Sequence, residues 1–266
     1  MYPFKYHRPE TLRQAASLLA KFGDAKLVAG GQTLLPVMKQ RLAAPAHLVD
    51  LTRIAGLSVI EIKGRALAIG AMTTHAEVAA SDLVSSALPA LADLAGQIGD
   101  PAVRHRGTIG GSLANNDPAA DYPAAVLALD ATIVTNKRRI KADAFFQGMF
   151  QTALEDGEII VRVQFPFARK AAYAKFRNQA SRYALAGVFV ARRPSEVRVA
   201  VTGAGADGVF RLPAFEAALK KRFSPKALEG LSVDAADLIG DIHGSADYRA
   251  HLVGVMARRA VEAANT

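Results

Sequence analysis

Two short stretches constrain the fold of this chain more than anything else in it. Val28 to Met38 reads "VAGGQTLLPVM", and Gly107 to Asp121 reads "GTIGGSLANNDPAAD". Each sets a glycine pair behind an apolar residue, follows it with a polar one and places a leucine close behind. The first runs Ala29, Gly30, Gly31, Gln32, Thr33, Leu34; the second runs Ile109, Gly110, Gly111, Ser112, Leu113 after Thr108. Without a Cβ, glycine lets backbone N–H groups approach a ligand and converge on one anion. Thr33, Thr108 and Ser112 add hydroxyls, and a helix N-terminus beside each turn would add its positive end. One such turn is satisfied by a tight strand-to-helix connection with nothing bound. Two matching turns imply a fold that brings them together around the two phosphates of a pyrophosphate. Asn115, Asn116, Asp117 and Asp121 then either serve ribityl or ribose hydroxyls or cap the following helix.

A third glycine run, Gly203 to Gly208, fits GxGxxG literally. A dinucleotide fold needs a helix immediately afterwards. "VFRLP" follows instead and reads as a strand, so the run is a glycine-rich loop with an Asp207-Gly208 turn. Other catalytic signatures are missing: there is no GxSxG, no phosphate-loop lysine motif and no HExxH. His75 and His105 are lone histidines, a type more often structural than catalytic. The chain has no cysteine, which removes disulfides, thiol nucleophiles and cysteine-held iron–sulfur clusters from this polypeptide. The 6 histidines form no HxxxH-type pair, so no metal site is expected. The net charge of +9 attracts polyanions, anionic cofactors or an acidic protein. Its clusters ("NKRRIK", "ARRP", "KKRF") read as solvated surface, with no zinc finger, basic zipper or RNA-binding aromatic motif. No apolar run reaches the roughly 20 residues of a membrane span. The N-terminal "MYPFKYHRPE" lacks an apolar signal core, which implies a cytoplasmic protein.

Along the chain, "ETLRQAASLLAKFGD" predicts a helix opened by a Thr11–Gln14 capping box and ended at Gly23. "AKLVAG" is a strand, "TLLPVMKQRL" a helix, and "HLVDL", "LSVIEIK" and "RALAIGA" are strands. Thr74 to Glu77 is a second capping box. "LPALADLAGQIG" is a helix stopped by Gly99-Asp100-Pro101, "PAADYPAAVLALD" a helix, and "ATIVTN" and "GEIIVRVQFP" are strands. After Pro166 the basic connector "FARKAA" marks a domain boundary near residue 168. Beyond it, strands ("AYAKFRN", "ALAGVFVARR", "EVRVAVTGAG") precede helices ("LPAFEAALKK", "DYRAHLVGVMARRAVEAAN"), the pattern of a small α+β domain.

The two glycine motifs resemble the signatures of the FAD-binding medium subunit of molybdenum hydroxylases, a family that includes aerobic carbon monoxide dehydrogenase and xanthine dehydrogenase. "YAKFRNQASRYALAGV" and "ADYRAHLVGVMARRAVE" are similar to later parts of the carbon monoxide dehydrogenase medium chain, so the resemblance spans nearly the whole chain. It implies an α+β protein: a two-subdomain FAD-binding fold of the vanillyl-alcohol-oxidase (PCMH) type over residues 1–168, then a C-terminal α+β domain over 169–266. It implies non-covalent FAD, held at the pyrophosphate by Ala29, Gly30, Gly31, Gln32 and Thr33 with Leu34 continuing the motif, and by Thr108, Ile109, Gly110, Gly111 and Ser112. Asp121 matches an acidic FAD contact, Ile160 an apolar one, and Lys175 or Arg177 a basic one whose spacing differs by one residue. Tyr183 matches the tyrosine that covers the flavin ring. Relatives often carry His or Ser where this chain has Gln32 and Thr33, and Asn where it has Ser112.

The function so implied is electron transfer. An iron–sulfur small subunit and a molybdenum-cofactor large subunit would supply electrons, which the flavin here passes to an acceptor. The complex would be cytoplasmic and touch the inner membrane face only peripherally. Two other readings stay open on the sequence: a self-contained flavin oxidase of the same superfamily, and a basic polyanion-binding module resting on the net charge. Substrate and acceptor, NAD or quinone, are not encoded in any motif of this chain.

Overall fold

The computed structural model describes all 266 residues, which build three successive units. The first alternates strand and helix: β1 (Lys5–His7), α1 (Leu12–Lys21), β2 (Lys26–Val28), α2 (Leu34–Lys39) and β3 (His47–Asp50). Its three strands are parallel in the order β1-β3-β2, as expected when helices connect them. The predicted capping box opens α1: Gln14 N–H donates to the Thr11 hydroxyl, and the Gln14 side chain accepts from Thr11 N–H, each at 3.2 Å. Ala15 of α1 packs with Val49, Leu51, Ile54 and Leu57 in a small core.

The second unit carries β4 (Ile60–Lys63), β5 (Ala66–Gly70), α3 (His75–Ala80), α4 (Asp82–Ala87), α5 (Pro89–Gly96), α6 (Pro101–Arg104), α7 (Ile109–Asn115) and α8 (Tyr122–Ala128). It continues through β6 (Thr132–Thr135), β7 (Arg139–Lys141), α9 (Ala142–Phe145), β8 (Phe146–Gly148), β9 (Gln151–Thr152) and β10 (Ile160–Pro166). An antiparallel sheet in the order β4-β5-β10-β6-β7 packs its apolar residues, Ile69 and Phe165 among them, against Leu91, Ile109 and Tyr122 of the helices.

The third unit is an antiparallel sheet of β11 (Lys170–Arg177), β12 (Ala184–Arg192), β13 (Val197–Thr202) and β14 (Phe210–Arg211), then α10 (Pro213–Lys221) and α11 (Ala246–Ala263). Both sheet faces are covered, which is why β12 reads as an almost unbroken apolar run rather than an alternating one. Phe189 and Tyr173 join the core of the second unit, while Val188 and Val190 join the core built with α10 and α11. At the sheet's edge Arg198, 7% exposed, reaches Asp130 and Asp143 of the second unit at 3.5 and 3.1 Å. No helix is long and apolar enough to cross a membrane.

Three local expectations change. The helix expected from Thr33 ends at Lys39, because the chain turns left-handed at Arg41 (φ 62°). Asp100-Pro101, taken as a stop, is a start: Asp100 caps the short α6 by accepting from Val103 N–H at 2.9 Å, with Pro101 at its first position. Asp-Pro serves both roles, since Asp caps and Pro fixes φ without needing a donor. The second glycine pair lies within the first turn of α7 rather than in a loop before a helix. The Gly203–Gly208 run leads into β14, not a helix, as expected for a loop.

Candidate functional site

The two glycine motifs meet. A Cβ on Gly30 would drive into the backbone carbonyl of Arg106, directly before the second motif. One on Gly111 would lie 3.8 Å from the Cβ of Ala29. Where they meet, a cavity of about 900 Å³ opens between the parallel sheet, the helices of the second unit and the β11–β12 loop. Its volume lies at the upper end of the range for cofactor sites. Ala29, Gly30, Gly31, Gln32, Thr33, Leu34, Thr108, Gly110, Gly111, Ser112, Asp121, Ile160 and Tyr183 all line it.

Three expected residues lie elsewhere. Ile109 is fully buried in the core beneath α7. The Lys175 side chain is 2% exposed and pairs with Asp121. Arg177 is exposed at the end of β11, past the point where the β11–β12 register shifts by one residue, Leu185, on β12.

The motifs are not equivalent. In the second, every amide from Ile109 to Ser112 already has an acceptor. Ile109 N–H donates to Thr73 O (3.1 Å), Gly110 N–H to Ala71 O (2.8 Å), Gly111 N–H to the Thr108 hydroxyl (3.1 Å) and Ser112 N–H to Thr108 O (3.0 Å). Gly110 is glycine because Ala71 is there: a Cβ would meet the Ala71 carbonyl oxygen at 2.6 Å. In the first motif the amides of Gly30, Gly31, Gln32, Thr33 and Leu34 donate to nothing in the protein. Gly31 sits at φ 72°, a left-handed conformation that turns successive N–H groups toward one side. Thr33 makes no capping bond. The run of unengaged backbone donors therefore belongs to the first motif, while the second offers the Thr108 N–H and the Ser112 hydroxyl beside it.

The far wall comes from the turn before β10, where Glu155, Asp156, Gly157, Glu158 and Ile159 precede Ile160. Glu158 fixes this turn. Arg138 Nε and Nη2 donate to its two carboxylate oxygens at 3.0 Å each, the Thr135 hydroxyl donates at 2.7 Å and Glu155 N–H at 2.9 Å. Burial opposes the charge, but these donors outweigh it and hold the Glu158 pKa down at about 2.

His75 also lines the cavity. It is 5% exposed, its backbone N–H donates to Gly107 O at 2.9 Å, and its ring Nδ1 has no partner. Burial, helped by the Arg104 charge, lowers its pKa to about 4 and keeps the ring neutral. Sequence reading placed His75 among lone histidines and overlooked the Glu155–Ile159 turn; neither carries a signal until the sheets assemble.

Tyr183 stands on a loop tied by its own hydrogen bonds. Asn178 N–H donates to Tyr183 O (2.8 Å), Arg182 N–H to Asn178 O (2.9 Å), and the Asn178 side chain accepts from Ala180 and Ser181 N–H. Arg182, at φ 62°, turns the chain so that Tyr183 reaches the cavity with 54% of its surface exposed. Burial, then the charges of Asp117 and Asp121, raise its phenol pKa.

Asp121 does not cap α8. Its carboxylate accepts from the Tyr173 hydroxyl at 2.5 Å and from Lys175 Nζ at 3.0 Å. Burial pushes its pKa up against the favourable ammonium and phenol. Asn116 does not face a ligand either: it ends α7 at φ 44° and donates to Gly148 O and Gln151 O, both at 2.8 Å.

Residues 2–168 match the family described as FAD binding domain in molybdopterin dehydrogenase. The carbon monoxide dehydrogenase medium chain of Hydrogenophaga pseudoflava is 39% identical, covering 98% of this chain and 96% of that one. The nicotine 6-hydroxylase medium subunit of Paenarthrobacter nicotinovorans is 38% identical over 97% and 95%. Among solved structures, carbon monoxide dehydrogenase from Hydrogenophaga pseudoflava, in a form lacking the Mo-pyranopterin moiety of its cofactor, superposes with a TM-score of 0.90 at 39% identity, covering 99% of this chain and 98% of that one.

Proposed function

Because this chain belongs to the family of FAD-binding domains in molybdopterin dehydrogenases, we propose that it is the FAD-binding, electron-transferring subunit of a molybdenum hydroxylase. One observation carries the reading: the two glycine motifs, 76 residues apart by the numbering of Gly31 and Gly107, line one cavity of cofactor size. The donor set fits the group. Unengaged amides of Gly30 to Leu34 suit a pyrophosphate, apolar Ile160 and Leu154 suit a ring system, and Tyr183 stands where it can cover one.

FAD, when bound, supplies the capacity to take up and release one or two electrons, the redox chemistry being the cofactor's own. This chain's residues bind, orient and shield it. Gly30 to Leu34 hold the phosphates through N–H groups, Thr108 and Ser112 border them, and Tyr183 limits approach to the flavin face. His75 stays neutral near neutral pH, so it adds no positive charge to the wall. No cysteine exists, and neither glycine motif holds a histidine, which supports non-covalent binding.

The division into 1–168 and 169–266 rests on the connector between β10, which ends at Pro166, and β11, which begins at Lys170. The vanillyl-alcohol-oxidase-type arrangement of two subdomains rests on the parallel and antiparallel sheets that flank the cavity. The names of the relatives, medium chain and medium subunit, support partner chains; we read these as an iron–sulfur small subunit and a molybdenum-cofactor large subunit, in a cytoplasmic complex. Their names point to carbon monoxide in one case and nicotine in another, which is why the choice of substrate is read as lying outside this chain.

Purification in the presence of FAD, then mild acid or denaturant, tests the reading. A yellow protein that releases its flavin to the supernatant supports it. A chain that takes up no flavin overturns the reading, and flavin that stays with the precipitate overturns the non-covalent assignment.

A further inference from the structure

The cavity wall after the second glycine motif, residues 117–121, is gripped by the C-terminal sheet rather than by its own unit. The Thr202 hydroxyl sits between two carbonyls of this segment, 2.6 Å from Ala120 O and 3.0 Å from Pro118 O. The next residue, Gly203, donates its N–H to Pro118 O at 2.8 Å. Tyr173 and Lys175 lie two apart on β11 and so share a face, and both donate to Asp121. Lys175 Nζ also donates to Gln97 O at 3.2 Å, tying the end of α5 to the start of α8. Gly187 on β12 makes the room: a Cβ there would strike the Tyr173 hydroxyl. All four anchors are enclosed, with Thr202 at 0%, Tyr173 at 5% and Asp121 at 4% exposure and the Lys175 side chain at 2%.

Within the segment, Asp117, Ala120 and Asp121 face the cavity. The same β11 runs on into the loop that presents Tyr183. One sheet therefore sets two walls: the 117–121 segment by side-chain bonds, and Tyr183 by chain continuity.

We propose that Tyr173 and Thr202 are positioning residues for the cofactor, acting through residues 117–121, so that seating of the C-terminal sheet and shaping of the FAD cavity are one coupled event. The proposal rests on the FAD reading for its ligand but not for its structural half. Without the Tyr173 hydroxyl the Asp121 carboxylate keeps only Lys175, and without the Thr202 hydroxyl Pro118 O keeps only the Gly203 N–H while Ala120 O loses its side-chain donor, so removing one hydroxyl loosens a wall of the cavity without touching the cofactor.

The test uses the full chain with three substitutions. Thr202→Val keeps the shape and loses the hydroxyl, Thr202→Ser keeps the hydroxyl, and Tyr173→Phe removes only the phenolic oxygen. Hydrogen exchange on the cofactor-free chain should show residues 117–121 exchanging about tenfold faster in Thr202→Val, the scale of one lost hydrogen bond, and near the wild-type rate in Thr202→Ser. FAD titration should show affinity reduced about tenfold in Thr202→Val and Tyr173→Phe and restored in Thr202→Ser, with the visible circular dichroism of bound flavin altered in the first two. Unchanged exchange at 117–121 in Thr202→Val overturns the proposal whether or not FAD binds. So does faster exchange with FAD affinity and flavin dichroism both unchanged. A wild-type chain that binds no FAD sinks the functional reading alone, and the exchange result still decides the coupling.

Discussion

At the residue scale, the glycines of the two motifs answer to different neighbours. Gly110 is fixed by the Ala71 backbone, whereas a Cβ on Gly111 meets only the Thr108 hydroxyl, at 3.0 Å, and Ala29. Gly110→Ala should therefore destabilise the fold by about 1–3 kcal/mol, the usual cost of overpacking. Gly111→Ala should fold with a melting temperature near wild type and bind FAD more weakly. Thermal melts and FAD titrations check the pair, and equal melting temperatures would refute the distinction. Tyr183 answers to the cavity rather than to the core. Tyr183→Ala should leave FAD affinity within a few-fold and change the rate at which reduced flavin is reoxidised; unchanged stopped-flow kinetics would remove its shielding role.

At the scale of elements, the two motifs divide the work of the site. The N–H groups of residues 109–112 should be protected from hydrogen exchange before any ligand is added, because Ala71, Thr73 and Thr108 accept from them. Those of residues 30–34 should exchange fast and slow markedly once FAD binds. Protection gained at 109–112 instead would reverse the assignment. The turn before β10 has its own pH dependence. The Glu158 carboxyl is held at about 2, below its ordinary 4.5. Its stabilisation is therefore complete above the unfolded value of 4.5 and is lost as pH falls from there toward 2. Acid titration followed by flavin release should show this loss, and Glu158→Gln should flatten the profile across that window.

The whole molecule has a cavity of cofactor size lined by both glycine motifs. It holds no cysteine for an iron–sulfur cluster, and on the proposed reading a neighbouring chain docked near the flavin supplies the electrons. The isolated chain with FAD should reduce dyes with NADH at most and hydroxylate no substrate. Adding the iron–sulfur and molybdenum chains should restore turnover. With a net charge of +9, association with an acidic partner should weaken as salt rises through the range where the screening length shortens from about 30 to 3 Å. Substrate hydroxylation by the purified chain alone would replace the subunit reading with that of a self-contained oxidase.

The sequence by itself determined the elements whose signals are local. Thr11 and Thr74 announce their helices because a capping box closes within four residues. The apolar runs of β12 and β13 announce strands, and the repeated Gly-Gly pattern identifies the two motifs of the site. Only the tertiary structure decided what each motif does, because backbone donors look alike in sequence until their acceptors are in place. The amides of Ile109 and Gly110 are taken by Ala71 and Thr73, almost 40 residues earlier in the numbering. Asp121 lines the cavity and is anchored there by Tyr173 and Lys175, more than 50 residues later. His75, exposed in no sequence pattern, enters the cavity wall through the packing of α3 against Gly107. Hydrogen-bond partners at such separations are set by the meeting of three sheets, and no periodicity or motif in one stretch of chain encodes that meeting.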